Sequence, residues 1–355
     1  MTSLTAEARP VSHGVVLLAA LLAAIAMLPM AKPLAAQTAP SDRGSSEIPR
    51  TPEGRPDFQG NWTNSTLTPF QRQEGRGPVY TWEEVARIER GDEECPPNPG
   101  TVACGRTPSQ GDSNEARLSG NEYNEVYWER GTRIAVVHGE PRASLVTRPA
   151  NGRIPARTLE AQQAQREQAD FRSQFGQYDH PELRPFAERC ILFGSPSGPP
   201  MIPVGAYNSN YVIVQTADHL MIQSEMIHDV RIIRIGEPRP MPEHVRPYFG
   251  NSSARWEGDV LVVETTNISP LQAVAGGSLS EDAKVTERFS LVDEETILYG
   301  FTVDDPATFT ETWGGEIPIH RLHAELYEYG CHEGNYALEG VLRGARYEEA
   351  QAAEN

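Results

Sequence analysis

The chain has 355 residues, with 31 Lys+Arg against 49 Asp+Glu and a net charge of −18. That acid excess argues against a nucleic-acid binder or a clamp on anionic membranes, since both need clustered cations. A hydrophobic fraction of 38% with 8% aromatics supports a folded core, and 29 Pro with 30 Gly predict many turns and few long helices.

Residues 1–36 read as a secretory signal peptide. Arg9 and His13 precede an unbroken small-apolar run from Gly14 to Leu28, short for a bilayer span. Pro29 and Pro33 break the run, and Ala35-Ala36-Gln37 offers small residues for cleavage. The expected location is periplasmic or secreted, with no membrane contact after cleavage. All four cysteines, Cys95, Cys104, Cys190 and Cys331, follow the signal. An even number in an oxidising compartment predicts two disulfides. Cys95–Cys104 would close a Pro-rich loop, and Cys190–Cys331 would tie distant segments together. Beyond the signal the only lysine is Lys284, between Asp282 and Glu287. Carboxylate neighbours hold such an amine protonated, which argues against Schiff-base chemistry.

Residues 37–56, rich in Ser, Pro and Arg, read as a flexible leader. Residues 57–185 read as a β-rich N-terminal part with a covering helix. Thr81-Trp82-Glu83-Glu84 is a capping box that opens a helix to about Arg90. After a loop over 91–120 come strand-like runs at 122–129, 133–138 and 144–147. A polar surface helix is expected from Thr158 to about Phe175. Residues 186–346 read as β, with strands at 210–216, 219–235, 255–267, 284–292, 296–303, 309–317 and 323–329. Tight turns such as Glu257-Gly258-Asp259 and Asp293-Glu294-Glu295 join them. Consecutive strands with short turns make an antiparallel meander, and closure into a barrel removes its edges. Residues 347–355 read as a tail. The fold class is therefore mainly β, an antiparallel barrel with a few peripheral helices.

The most informative stretch is Gln223-Ser224-Glu225-Met226-Ile227-His228-Asp229-Val230-Arg231. Read as one strand, it puts Gln223, Glu225, Asp229 and Arg231 on a single face. Charges on one strand face are costly in a dry core and fit a water-reachable cavity or an outer wall. Three arrangements are compatible with the pattern. The first is a buried ion-pair ladder or solvated face. The second is an acid–base site, with Glu225 or Asp229 as base, His228 as proton shuttle and Arg231 holding an anionic group. The third is a metal site on His228 and a carboxylate, extended by His332 to a metal-dependent hydrolase. Tyr207, Asn208, Trp256, Glu264 and His332 are further candidates for lining a pocket. No G-x-S-x-G, G-x-G-x-x-G or P-loop occurs, so neither a nucleotide cofactor nor an α/β-hydrolase is expected.

Glu188-Arg189-Cys190, Tyr207-Asn208, Glu225-Met226-Ile227-His228-Asp229-x-Arg231, Trp256-Glu257-Gly258-Asp259-x-Leu261-Val262-Val263-Glu264-Thr265-Thr266-Asn267 and Cys331-His332-Glu333-Gly334-Asn335-Tyr336 resemble an uncharacterised family of exported bacterial proteins. Gly60-Asn61-Trp62 and the meander around Glu287-Arg288-Phe289 are similar to lipocalin-like and nitrobindin-like barrels. That resemblance implies a small-molecule ligand or substrate and, in some relatives, cofactor-free isomerisation or hydration. The functional expectation is an exported, cofactor-free acid–base enzyme for a small organic molecule. A non-catalytic carrier is the alternative.

Overall fold

A computed structural model of the chain describes residues 48–91, 129, 131–203, 207–274 and 277–354. The signal segment and the Cys95–Cys104 pairing lie outside the described residues. Strand β1 (Gly60–Thr63) is followed by helix α1 (Trp82–Arg90), the short hairpin β2 (Val136–Val137) and β3 (Glu140–Pro141), strand β4 (Val146–Arg148) and helix α2 (Leu159–Arg172). The barrel strands that follow are β5 (Asn210–Gln215), β6 (His219–Ser224), β7 (Val230–Ile235), β8 (Asn251–Glu257) and β9 (Val260–Thr266). A two-residue ladder, β10 (Ala273–Val274) with β11 (Gly277–Ser278), precedes β12 (Lys284–Asp293), β13 (Thr296–Asp304) and β14 (Trp313–Arg321). Helix α3 (Ala337–Glu354) ends the described chain.

The sheet runs β1-β5-β6-β7-β8-β9-β12-β13-β14, and β14 pairs back onto β1 through Trp62↔Arg321 and Thr63↔His320. This closes a nine-strand barrel, compatible with the lipocalin-like architecture. β4 pairs with the other end of β14 at Gly314 and Gly315. A Cβ on either glycine would meet backbone at 2.2–2.3 Å, which fixes glycine there.

Burial alternates along the strands as an inward-facing barrel wall requires. Val285, Glu287, Phe289 and Leu291 of β12 face inward, as do Ile297, Tyr299, Phe301 and Val303 of β13. Phe58 plugs one end, stacked on Trp256 at 6.0 Å and edge-on to Phe289. Trp313 collects Phe70, Phe301 and Phe309 in edge contacts. The segment around 196–202 enters the interior, where Ser197, Met201 and Ile202 are fully buried. Side chains and the 196–202 segment thus both occupy the barrel interior.

Five features differ from the expectations above. The 219–235 stretch is two strands, because the chain makes a helical turn over Met226–His228. β7 and β8 pair in parallel at Arg234↔Ser253 and Ile235↔Ala254, so the meander is not antiparallel throughout. The strand placed at 309–317 begins at Trp313, because Asp305 takes the amides of Thr308 and Phe309 into a turn. Residues 323–329 form no strand, and 337–354 is helix, as its run of strong helix formers and the Glu339–Arg343 pair at 3.0 Å favour.

Both sequence-predicted helices are present. Thr81 caps α1, and its capping box with Glu84 is complete. α1 buries Val85 and Ile88 in a small second cluster with Leu67, Tyr80, Ile134 and Ala143. α2 starts from the Thr158 cap and, like α3, buries none of its residues. Cys190 and Cys331 form the expected disulfide across 141 residues. Among the described residues no helix is long and apolar enough to cross a membrane.

Candidate functional site

The turn between β6 and β7 decides where the predicted site residues go. Ile227 in this turn has φ 61°, a left-handed conformation that costs a β-branched residue about 1–3 kcal/mol. A hydrogen-bond cluster holds it. Asp229 Oδ2 accepts from Ser197 Oγ at 2.7 Å and from the Phe193 amide at 3.1 Å. Asn208 donates to Ser197 Oγ at 3.3 Å and accepts from the Met226 amide at 2.8 Å. Asp229, Asn208 and Ser197 are all buried. Asp229 and Asn208 are therefore engaged in the hydrogen bonds that hold the turn.

The turn also shifts the side-chain alternation. Leu220, Ile222 and Ser224 face inward on β6, and Arg231 and Ile233 face inward on β7. Gln223 falls on the outer wall, and half-buried Glu225 opens the turn. The single charged face expected for 223–231 does not exist, because the chain between Glu225 and Asp229 is not extended. His228 lies within the turn.

Arg231 sits inside the barrel, bidentate to Glu287 at 2.9 and 2.5 Å. Tyr299 Oη donates to Glu287 Oε1 at 2.8 Å and accepts from the Met201 amide at 2.9 Å. Burial opposes the Arg231 charge, but the Glu287 carboxylate overrides it and holds the guanidinium above its ordinary pKa. Burial first, and then the Glu287 charge, push the Tyr299 hydroxyl well up. Gly198, at φ 73°, packs against this pair; a Cβ there would come within 3.0 Å of the guanidinium. Arg231 is thus committed to an interior ion pair and is not placed to orient a substrate anion. Sequence reading passed over Glu287 as a partner, although two inward charges on separate strands of one barrel demand one another.

Of the proposed acid–base group, Glu225 reaches a concave surface. It lines a half-open groove of about 440 Å³ on the outer wall of the barrel. Val212 of β5 and Gln223 of β6 form the floor beside it, and the chain at Leu326, Tyr327, Glu328 and Tyr329 forms the opposite wall. Asn210 Nδ2 donates to Glu225 Oε2 at 3.2 Å. Burial, and after it the Glu129 carboxylate, push the Glu225 carboxyl above the usual glutamate range, against the Asn210 hydrogen bond. Tyr329 is also pushed up, by burial and by neighbouring Tyr207. The groove wall is the stretch that the sequence suggested as a strand. Unpaired, it is fixed at its ends: Asn61 donates to Ala324 O at 2.7 Å, and the Cys190–Cys331 disulfide and the Asn335-to-Glu188 hydrogen bond at 2.7 Å hold the far side.

The remaining candidates lie elsewhere. Trp256 packs on Phe58, with Arg55 over its ring at 5.4 Å. Glu264 joins an exterior ladder, pairing with Arg255 at 3.1 Å beside the Arg255–Glu257 and Arg288–Glu257 pairs. His332 is exposed. Among the described residues no three His, Cys, Asp or Glu side chains gather where they could hold a metal ion. Compared with known proteins, the chain matches no family model, no curated protein and no solved structure.

Proposed function

We propose that the chain is an exported barrel protein that takes a small organic molecule into the groove between β5–β6 and residues 326–329. There Glu225 exchanges a proton with the ligand by general acid–base chemistry. The observation that carries this reading is a half-buried carboxyl, biased toward its protonated form, at the floor of a groove of ligand size. Export is supported by the apolar leader and by the long-range disulfide. The Asp229–Asn208–Ser197 cluster acts indirectly, by holding the turn from which Glu225 projects.

A second reading, ligand carriage without chemistry, is favoured by one fact. Asp229 and Arg231 are consumed by interior contacts, so neither joins Glu225 in the groove. The two readings share the groove and differ at Glu225. Native mass spectrometry of protein purified from its exporting host should show a co-purifying small molecule. Val212→Trp, which fills the floor from outside the core, should lose it. A ligand retained by Val212→Trp would refute the groove. Once the ligand is known, Glu225→Gln should lower turnover by about 10²–10⁴-fold while binding persists. No turnover in the native protein selects carriage, and turnover unchanged in Glu225→Gln removes Glu225 as the proton-exchanging group.

A further inference from the structure

The groove continues onto a part of the barrel wall whose chemistry is unusual for a solvent face. Across β5, β6 and β7 the outward residues align in two rungs, Val214–Met221–Ile232 and Val212–Gln223–Val230. Five of these six are apolar. Ile232 is 69% exposed, and Val214 and Val230 are exposed as well. An outer barrel face in water is ordinarily polar at these positions, so a contiguous apolar strip marks a surface that something covers.

At the groove end of the strip the character reverses. Glu225 lies on the floor and Glu328 on the facing wall. With them stand Tyr327, 86% exposed, and half-buried Tyr329. None of the described residues lining the groove is basic. The Glu225 carboxyl already feels the Glu129 charge and has one amide donor, Asn210. A ligand carboxylate or phosphate would meet two carboxylates and, among the described lining residues, no cation. An ammonium would meet the opposite charge of Glu225 and Glu328 and two lining tyrosines, Tyr327 and Tyr329.

Resting on the groove reading above, we infer that the ligand is an amphipathic organic cation. Its ammonium head lies between Glu225, Glu328 and the two tyrosines, and its apolar body lies along Val212, Val214 and Ile232. The strip supplies the hydrophobic term, and the carboxylates and rings select the charge. Neither feature alone fixes the class. Their continuity, through Val212 and Gln223, does.

Calorimetric titration of the mature, disulfide-bonded protein with a matched set tests this: hexylammonium, 1-hexanol and hexanoate. Hexylammonium should bind about tenfold or more tighter than 1-hexanol, and hexanoate should not bind measurably. Glu225→Gln should weaken hexylammonium by about tenfold and leave 1-hexanol unchanged. Ile232→Ser, a change on the exposed wall that leaves the core intact, should weaken both. Glu328→Gln, equally exposed, repeats the charge test in a variant with no folding role. If 1-hexanol binds as tightly as hexylammonium and Ile232→Ser weakens both alike, the groove stands and the cation is wrong. Preference for hexanoate also overturns the cation. If no member of the set binds, the cation inference and the groove fall together.

Discussion

At the scale of single residues the account turns on where two carboxyl groups sit. Glu287 is fully buried and Glu225 is half-buried in the groove; among the described residues Glu287 has a cation, Arg231, against it and Glu225 has none. Replacing one partner of such an interior pair exposes the full desolvation cost of the other. Among the described groove residues Glu225 has no such partner, and burial raises its pKa. A carboxyl raised in the folded state contributes stability that is complete below the unfolded value and is lost as pH rises through the folded value. Glu225→Gln removes that loss and keeps an oxygen for Asn210. Thermal melts across the acid-to-neutral range should therefore show the variant equal to the native protein in acid and at least as stable at neutral pH, the gap widening as pH rises. A variant that is less stable at neutral pH than in acid, relative to native, would mean that the Glu225 carboxylate is already paired. The charged character of 223–231 was legible in the sequence. Its placement was not, because alternation along a strand assumes unbroken extension, and Ile227 at φ 61° breaks it.

At the scale of elements, local chemistry was the readable part. The capping box at Thr81 formed as the residues dictate, and the Trp256-Glu257-Gly258-Asp259 turn joins β8 to β9. Gly258 takes φ 62° there, which any other residue adopts at a cost. The groove wall was not readable. Residues 323–329 alternate like a strand, yet no strand edge is left for them, since β14 is already engaged by β13, β1 and β4. That wall depends on its anchors. Replacing Cys190 and Cys331 together by serine should cost roughly 2–4 kcal/mol. Hydrogen exchange should quicken over 322–336 well before it does in β12 or β13. Uniform loss of protection through the barrel would instead assign the disulfide to global stability alone.

At the scale of the whole molecule, the alternation of β12 and β13 announced a closed sheet, but two facts needed coordinates. The closing strand, β1, comes from before the segment the sequence marked as barrel, and only four residues of it pair. The interior is occupied by chain from 196–202 and by the Arg231–Glu287–Tyr299 network, which moves the candidate binding surface from the inside of the barrel to its outer wall. A lipocalin-like outline therefore does not by itself say where a ligand sits.

The most direct test of this relocation is an amide chemical-shift titration of the isotopically labelled mature protein with hexylammonium. The account predicts perturbations concentrated at Val212, Gln223, Glu225 and residues 326–329, with the inward-facing positions of β12 and β13 undisturbed. Shifts centred on Glu287, Tyr299 and the 196–202 segment, or a saturable response with the groove silent, would contradict it.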